Sequence, residues 1–374
     1  MKVLQILLAL FLSFGLFSAS SVSAAVKPIE RYYIGDVGPE HRFYDAIERF
    51  VYTDIIDGYI ESESYEEDGE LYEYSYVTVR PDEKVTRAQF TKILVSALSL
   101  KVGTQVKEFP DVKPAKWHYD YIRIASSQGI ISGYSDGKFH PDENITRDQM
   151  AAMIYRAFSH TIAFQPSAKT FKDVPATSFA YEAVIKLAAS SIVQGYGDTF
   201  KPRDLATRGQ AIAIIDRALH QEVGMVEDMS AVTDVVDRNI QEELRLMEEQ
   251  NVPSLEALYN ETTTGYHLSY SLDSIALVDD VEELDGTVSM EQIGVHSFDI
   301  VSIRKRLAEV RIDNLKYKVS FTSPDMSFTV NVDASGMAYL KKDADGTWKI
   351  YNLVLDEELG EDWGADISSA ANES

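Results

Sequence analysis

Arg87, Arg147 and Arg208 each follow a threonine directly and precede a glutamine by two residues, in Thr86-Arg87-Ala88-Gln89, Thr146-Arg147-Asp148-Gln149 and Thr207-Arg208-Gly209-Gln210. A guanidinium offers parallel N–H donors that match a carboxylate bidentately, and a helix start beside it adds backbone donors, so the combination is a natural receptor for an organic acid. The threonine and glutamine have a plain role: three positions apart, they form a capping box that closes a helix start. That places each arginine at the first helical position, where the positive end of the helix dipole disfavours a cation by a few tenths of a kcal/mol up to about 1. A cost met three times, about sixty residues apart, predicts a use for the charge. Pairing with a nearby carboxylate of the chain itself is the structural alternative.

The elements that must position these arginines repeat with them. Counting from Asp36, Asp111 and Asp173, a tyrosine falls eight residues on (Tyr44, Tyr119, Tyr181) and a Gly-Tyr pair follows (Gly58-Tyr59, Gly133-Tyr134, Gly195-Tyr196). Each unit reads as helix, turn, helix. The second helix carries an apolar face at Phe90, Ile93 and Leu94, at Met150, Met153 and Ile154, or at Ala211, Ile214 and Ile215. No unit can bury such a face alone, so the second helices are expected to pack around a shared core.

These units resemble the S-layer homology (SLH) module of bacterial surface proteins. The marks are Phe109-Pro110-Asp111-Val112, Trp117, Gly133-Tyr134-Ser135-Asp136-Gly137-Lys138-Phe139-His140-Pro141 and Ile145-Thr146-Arg147, with their counterparts in the other two units. The resemblance implies a pseudo-threefold helix bundle of three modules at residues 34–99, 107–159 and 170–220. It implies non-covalent anchoring to the cell wall through an anionic, pyruvylated secondary cell-wall polysaccharide, with contacts to surface-layer proteins as a further option. Carried over residue by residue, the glycan-binding set is Arg87, Arg147, Arg208, Asp111, Asp173, Asp36, Trp117, Gly133 and Gly195. The aspartates could equally be turn or cap residues, and Trp117 a core residue.

The sequence also departs from the family. Glutamine stands where the family has glutamate, Arg42 replaces the tryptophan of the first module, Phe179 replaces that of the third, and Thr199 stands at a turn glycine. An acidic insertion at 60–78, read as a hairpin or a loop, puts in doubt the groove beside it. The grooves of Arg147 and Arg208 are therefore the preferred ones.

Residues 1–24 read as a secretory signal peptide: Met1-Lys2, an apolar run, then small residues before Ala25. No later stretch is apolar over the eighteen or so residues of a membrane span, so the mature chain is expected to be exported, without a span, at the cell wall or in the surface layer. With no cysteine, disulfides and thiolate sites are excluded, and a net charge of −25 argues against nucleic acid as a partner.

The remainder reads as a connecting helix at 225–258, broken at Pro253 and either a connector or the first helix of the next domain, an α+β domain at 259–355 with a helix and a curved antiparallel sheet, and an acidic tail at 356–374. Period-two alternation marks strands at 267–272, 310–312, 315–321, 328–332, 337–340 and 348–354, with a hairpin at Asp345-Gly346. This half faintly resembles NTF2-like or cystatin-like domains. No catalytic motif, metal site or cofactor is expected: Asp343-Ala344-Asp345-Gly346 lacks the glutamate of a calcium loop at Val354. The competing reading is a wall-anchored enzyme with a pocket lined by His267, His296 or Asp299.

Overall fold

The computed structural model describes residues 26–67, 70–165, 170–225, 228–282, 287–324 and 327–356. The expected signal peptide and all of the acidic tail but Asp356 lie outside them. The described residues divide into two compact units, 30–224 with 304–306, and 225–303 with 307–356 and 26–29.

In the first unit each module has a short first helix beginning at the tyrosine eight residues after the aspartate, and a second helix beginning at the arginine. They are α1 (Tyr44–Tyr52) and α2 (Arg87–Ala97), α3 (Tyr119–Ser127) and α4 (Arg147–Phe158), α5 (Tyr181–Ala189) and α6 (Arg208–Gln221). Each second helix packs on the first helix of the next module: α2 on α3, α4 on α5, and α6 back on α1. The apolar faces read from the sequence are inside, with Phe90, Leu94, Met150, Ile154, Ala211 and Ile215 essentially inaccessible to water. The insertion is an antiparallel hairpin, β1 (Tyr59–Glu67) with β2 (Glu70–Thr78), in register from Tyr59 opposite Thr78.

The second unit opens with three helices, α7 (Asp228–Glu248), α8 (Val252–Thr262) and α9 (Gly265–Glu282). Two antiparallel sheets follow. β3 (Thr287–Gln292), β6 (Lys316–Thr322) and β7 (Ser327–Asp333) form one in the order β3-β6-β7, and β4 (Ser297–Ile303), β5 (Leu307–Asp313), β8 (Gly336–Lys342) and β9 (Trp348–Leu355) the other in the order β4-β5-β8-β9. The expected hairpin is present at Gly346, whose φ of 94° only glycine adopts cheaply.

Two expectations are corrected. Residues 267–272 are helical, not a strand: Leu268 and Leu272 sit one turn apart and pack with Ile275 on Leu246, Leu255, Leu258 and Tyr259. The segment 225–258 is two helices, divided just before Pro253, and of the two readings the first helix of the next domain holds rather than the connector. Val232, Val236 and Ile240 of α7 share a core with Val310, Val319, Phe321 and Ile350 of the sheets, so α7 belongs to this unit. Pro253 opens α8 in its first turn, where its missing N–H costs nothing, and Asn251 caps that turn by accepting from the Ser254 N–H.

Candidate functional site between modules

All three capping boxes are present. The Thr86 N–H donates to Gln89 Oε1 (3.0 Å) and the Gln89 N–H to Thr86 Oγ1 (3.2 Å); Thr207 and Gln210 repeat this. In the second module Asp148 joins the cap, accepting from the Gln149 N–H (2.8 Å) and from the Thr146 hydroxyl.

The next two N–H groups of each helix are also occupied. Arg87 N–H donates to Glu143 O and Ala88 N–H to Pro141 O, Arg147 N–H to Asp204 O and Asp148 N–H to Pro202 O, Arg208 N–H to Glu83 O and Gly209 N–H to Pro81 O. The helix starts therefore present no spare backbone donors to an acid, which corrects that part of the sequence reading. Their donors instead join module one to two, two to three, and three to one.

The arginine side chains follow the same cycle. Arg87 Nε donates to Phe139 O (2.9 Å), Arg147 Nε to Phe200 O (3.0 Å) and Arg208 Nε to Val79 O (2.8 Å). Each arginine residue is only 6 to 7% exposed, and its guanidinium lies 4.6 to 5.1 Å from an aromatic centroid, over Phe139, Phe200 and Tyr59 respectively. Burial pushes all three pKa values down from the ordinary arginine value, and neighbouring acidic groups oppose it; such a group stays charged in water. Among the described residues none of the three forms an ion pair with a carboxylate, so the structural alternative takes another form: the charge is anchored on a carbonyl of the neighbouring module.

The aspartates hold that carbonyl in place. Asp111 accepts from the Phe139 N–H (3.0 Å) and the His140 N–H (2.7 Å), Asp173 from Phe200 and Lys201 (2.8 and 2.7 Å), Asp36 from Val79 and Arg80 (2.8 and 2.6 Å). The residue whose N–H meets the aspartate thus offers its carbonyl to the arginine of the preceding module in the cycle. Burial works to raise the pKa of Asp111 and Asp173, but these backbone donors outweigh it and hold both below the ordinary carboxylate value.

Gly133 and Gly195 serve close approach. A Cβ on Gly133 would stand 2.8 Å from Lys138 O and run into the Phe109 ring; on Gly195 it would stand 2.7 Å from Thr199 O and strike Phe171.

Two equivalent grooves open where the modules meet. One, about 290 Å³, is lined by Arg208, Gly58, Tyr59, Lys92, Asp57 and Trp117 among others. The other, about 360 Å³, is lined by Arg87, Gly133, Tyr134, Arg156, Phe179 and Arg203. Trp117 is 55% and Phe179 60% exposed, so both rings face the groove rather than a core.

The second groove collects three arginines, and no carboxylate is among its lining residues. In the first, Asp57 is engaged by Lys92 Nζ at 2.9 Å, while the terminal nitrogens of Arg208 have no hydrogen-bond partner among the described residues. Arg147, by contrast, donates Nη2 to Gln194 O (2.8 Å) besides its Nε bond, and Arg42, at the missing tryptophan position, lies over Phe43. The hairpin does not close the groove beside it: Tyr59, its first residue, is one wall.

Sequence reasoning missed Lys92, Arg156 and Arg203. Lys92 and Arg156 fall on the groove side of α2 and α4, one or two turns after Gln89 and Gln149, and a helical projection of each module would have found them.

Comparison with known proteins agrees with this arrangement. The S-layer homology domain model matches residues 108–151 and 170–212, the two modules without the hairpin. The chain is an SLH-domain protein. It is 36% identical over 150 residues to an endoglucanase of Bacillus sp. (strain KSM-635), covering 39% of this chain and 16% of that protein. It is 29% identical over 150 residues to the cellulosome-anchoring protein of Acetivibrio thermocellus, covering 38% and 33%, and 25% identical over 225 residues to the S-layer protein sap of Bacillus anthracis, covering 59% and 26%. The SLH-domain protein thus spans at most a third of the length of these relatives.

The histidines proposed for an enzyme do not converge. His267 lines a partly open cavity of the second unit. His296 meets Asp237 at 2.9 Å and stacks edge-on with Phe298, and Asp299 is exposed on β4.

Proposed function

We propose that this SLH-domain protein is an exported, non-enzymatic surface protein, held on the bacterial cell wall by its three modules. In this reading the modules form a pseudo-threefold bundle. The ligand is an anionic secondary cell-wall polysaccharide whose carboxylate, as in a pyruvate ketal, enters the grooves of Arg87 and Arg208. The observation that carries it is the Arg87 groove, where Arg87, Arg156 and Arg203 stand together without a lining carboxylate in a chain of net charge −25. Such local concentration of cations against the global charge suits a short-range anion contact. Trp117 and Phe179 offer planar faces to the ring of the same sugar. The names of the relatives, a cellulosome-anchoring protein and an S-layer protein among them, support a wall location.

The test uses purified wall sacculi. Retention of the protein is expected, with release by the pair Arg156→Ser and Arg203→Ser; Arg156 donates to Ile130 O within its own module (3.2 Å), and the exposed Arg203 makes one long contact, 3.9 Å, with Asp148 of the second module. Retention should also fall after chemical removal of pyruvate from the wall. Undiminished retention in both cases would sink the proposal.

A further inference from the structure

The second unit holds a partly open cavity of about 120 Å³ between α7, α8, α9 and the sheets. Its wall is mostly apolar, with Leu244, Met247 and Ile275 on one side, and among the described residues Glu243 is its only carboxylate. Among the described residues no lysine or arginine lines it. The Glu243 carboxylate accepts one hydrogen bond, from the Tyr259 hydroxyl at 2.6 Å. The remaining polar wall is made of hydroxyls, including Tyr270 and Tyr317, of Asn239, whose amide donates to Thr262 Oγ1 (3.0 Å), and of His267, stacked on Tyr270 with ring centroids 6.0 Å apart. Burial pushes His267 down to about 4, so at neutral pH it is uncharged and supplies no counter-ion.

Glu243 is half-buried, and a carboxylate partly withdrawn from water without a positive partner is costly, so the group either takes up a proton or finds a cation. Burial indeed raises the pKa of Glu243 above the ordinary value, against the Tyr259 hydrogen bond. A metal ion fits the wall poorly, because no cluster of three metal-ligating side chains exists among the described residues. An anion would meet the acid head-on. What the wall matches is a positive head with a small apolar body: tyrosine faces and one carboxylate for the head, leucine and methionine for the body.

We propose that this cavity binds a small organic ammonium ion, its charged head against Glu243 among Tyr259, Tyr270 and Tyr317. The site is independent of the grooves between the modules, and its ligand carries the opposite charge.

Titration calorimetry on the mature chain tests it, with choline as probe, methylammonium as a smaller one, and 3,3-dimethylbutan-1-ol as the uncharged isostere of choline. Saturable binding of an ammonium probe is expected, with the alcohol at least about tenfold weaker. Glu243→Gln, which keeps an acceptor for Tyr259, should abolish that preference. Ser274→Leu fills the cavity and leaves the carboxylate in place, so it should abolish binding of both and carries the test if Glu243→Gln does not fold. Equal binding of choline and its isostere, no saturable binding of either ammonium ion, or retained binding in Ser274→Leu would overturn the proposal.

Discussion

At the scale of single residues, aspartate and arginine act in series. Asp111 orders the turn at Phe139 through two backbone N–H groups, and Arg87 of the preceding module takes the carbonyl of the same residue. Removing the carboxylate by Asp111→Ala orphans two donors and should cost about 1 to 3 kcal/mol, measured by denaturant unfolding. The pH dependence has a definite sign. Because the folded pKa of Asp111 is depressed, its contribution is complete above the unfolded value of about 3.9 and is lost as pH falls through the folded one. Wild type should therefore lose more stability on acidification below about pH 4 than Asp111→Ala does, and parallel acid curves would refute the series arrangement. Gly133 has a different task, which predicts a different loss. In Gly133→Ala the added methyl meets the Phe109 ring and the Lys138 carbonyl and forces a backbone already at φ 74°. A destabilisation of about 1 to 3 kcal/mol is expected in thermal unfolding, with the ion-pair pattern unchanged.

At the scale of elements, what was legible followed from how local the signal is. The second helices begin at Arg87, Arg147 and Arg208 as read, because a capping box is written in four consecutive residues. The first helices begin at Tyr44, Tyr119 and Tyr181, a regularity only the repeat exposes. The grooves were half legible. Their arginines and Trp117 stood at repeat positions, whereas Arg203 and Lys92 enter from places that the sequence does not link to the ligand motif. The use of every helix-start donor by the next module was invisible, since it joins residues such as Arg208 and Glu83 that lie far apart in the chain. In the second unit the strands β3 and β4 escaped notice; β4 alternates only between exposed and half-exposed positions, so no apolar period marks it. The helix α9 was misread because six residues of alternation also fit a helix that buries Leu268 and Leu272. At this scale the cap can be tested by Thr207→Val, which removes the acceptor of the Gln210 N–H and should cost about 1 kcal/mol in unfolding experiments.

At the scale of the whole molecule two fields oppose each other. The chain carries 60 acidic against 35 basic side chains, so the anionic wall polymer proposed as ligand would meet long-range repulsion before it reached a groove. Within the groove the contacts that Arg87, Arg156 and Arg203 would make are a few ångströms long, well inside the Debye length of about 8 Å at 0.15 M salt. Salt therefore acts unequally. Raising ionic strength from about 0.01 to about 0.15 M shortens the screening length from about 30 to about 8 Å, which removes most of the repulsion and leaves the bound contacts largely intact. The association rate constant for wall polysaccharide should rise over that range, while the dissociation rate changes little. A binder whose surface is basic shows the reverse, a fall in association rate with salt. Surface plasmon resonance on immobilised polysaccharide, run as a salt series, separates the two. An association rate that falls steadily from the lowest salt upward would mean that the grooves dominate the far field, against the charge balance of the chain.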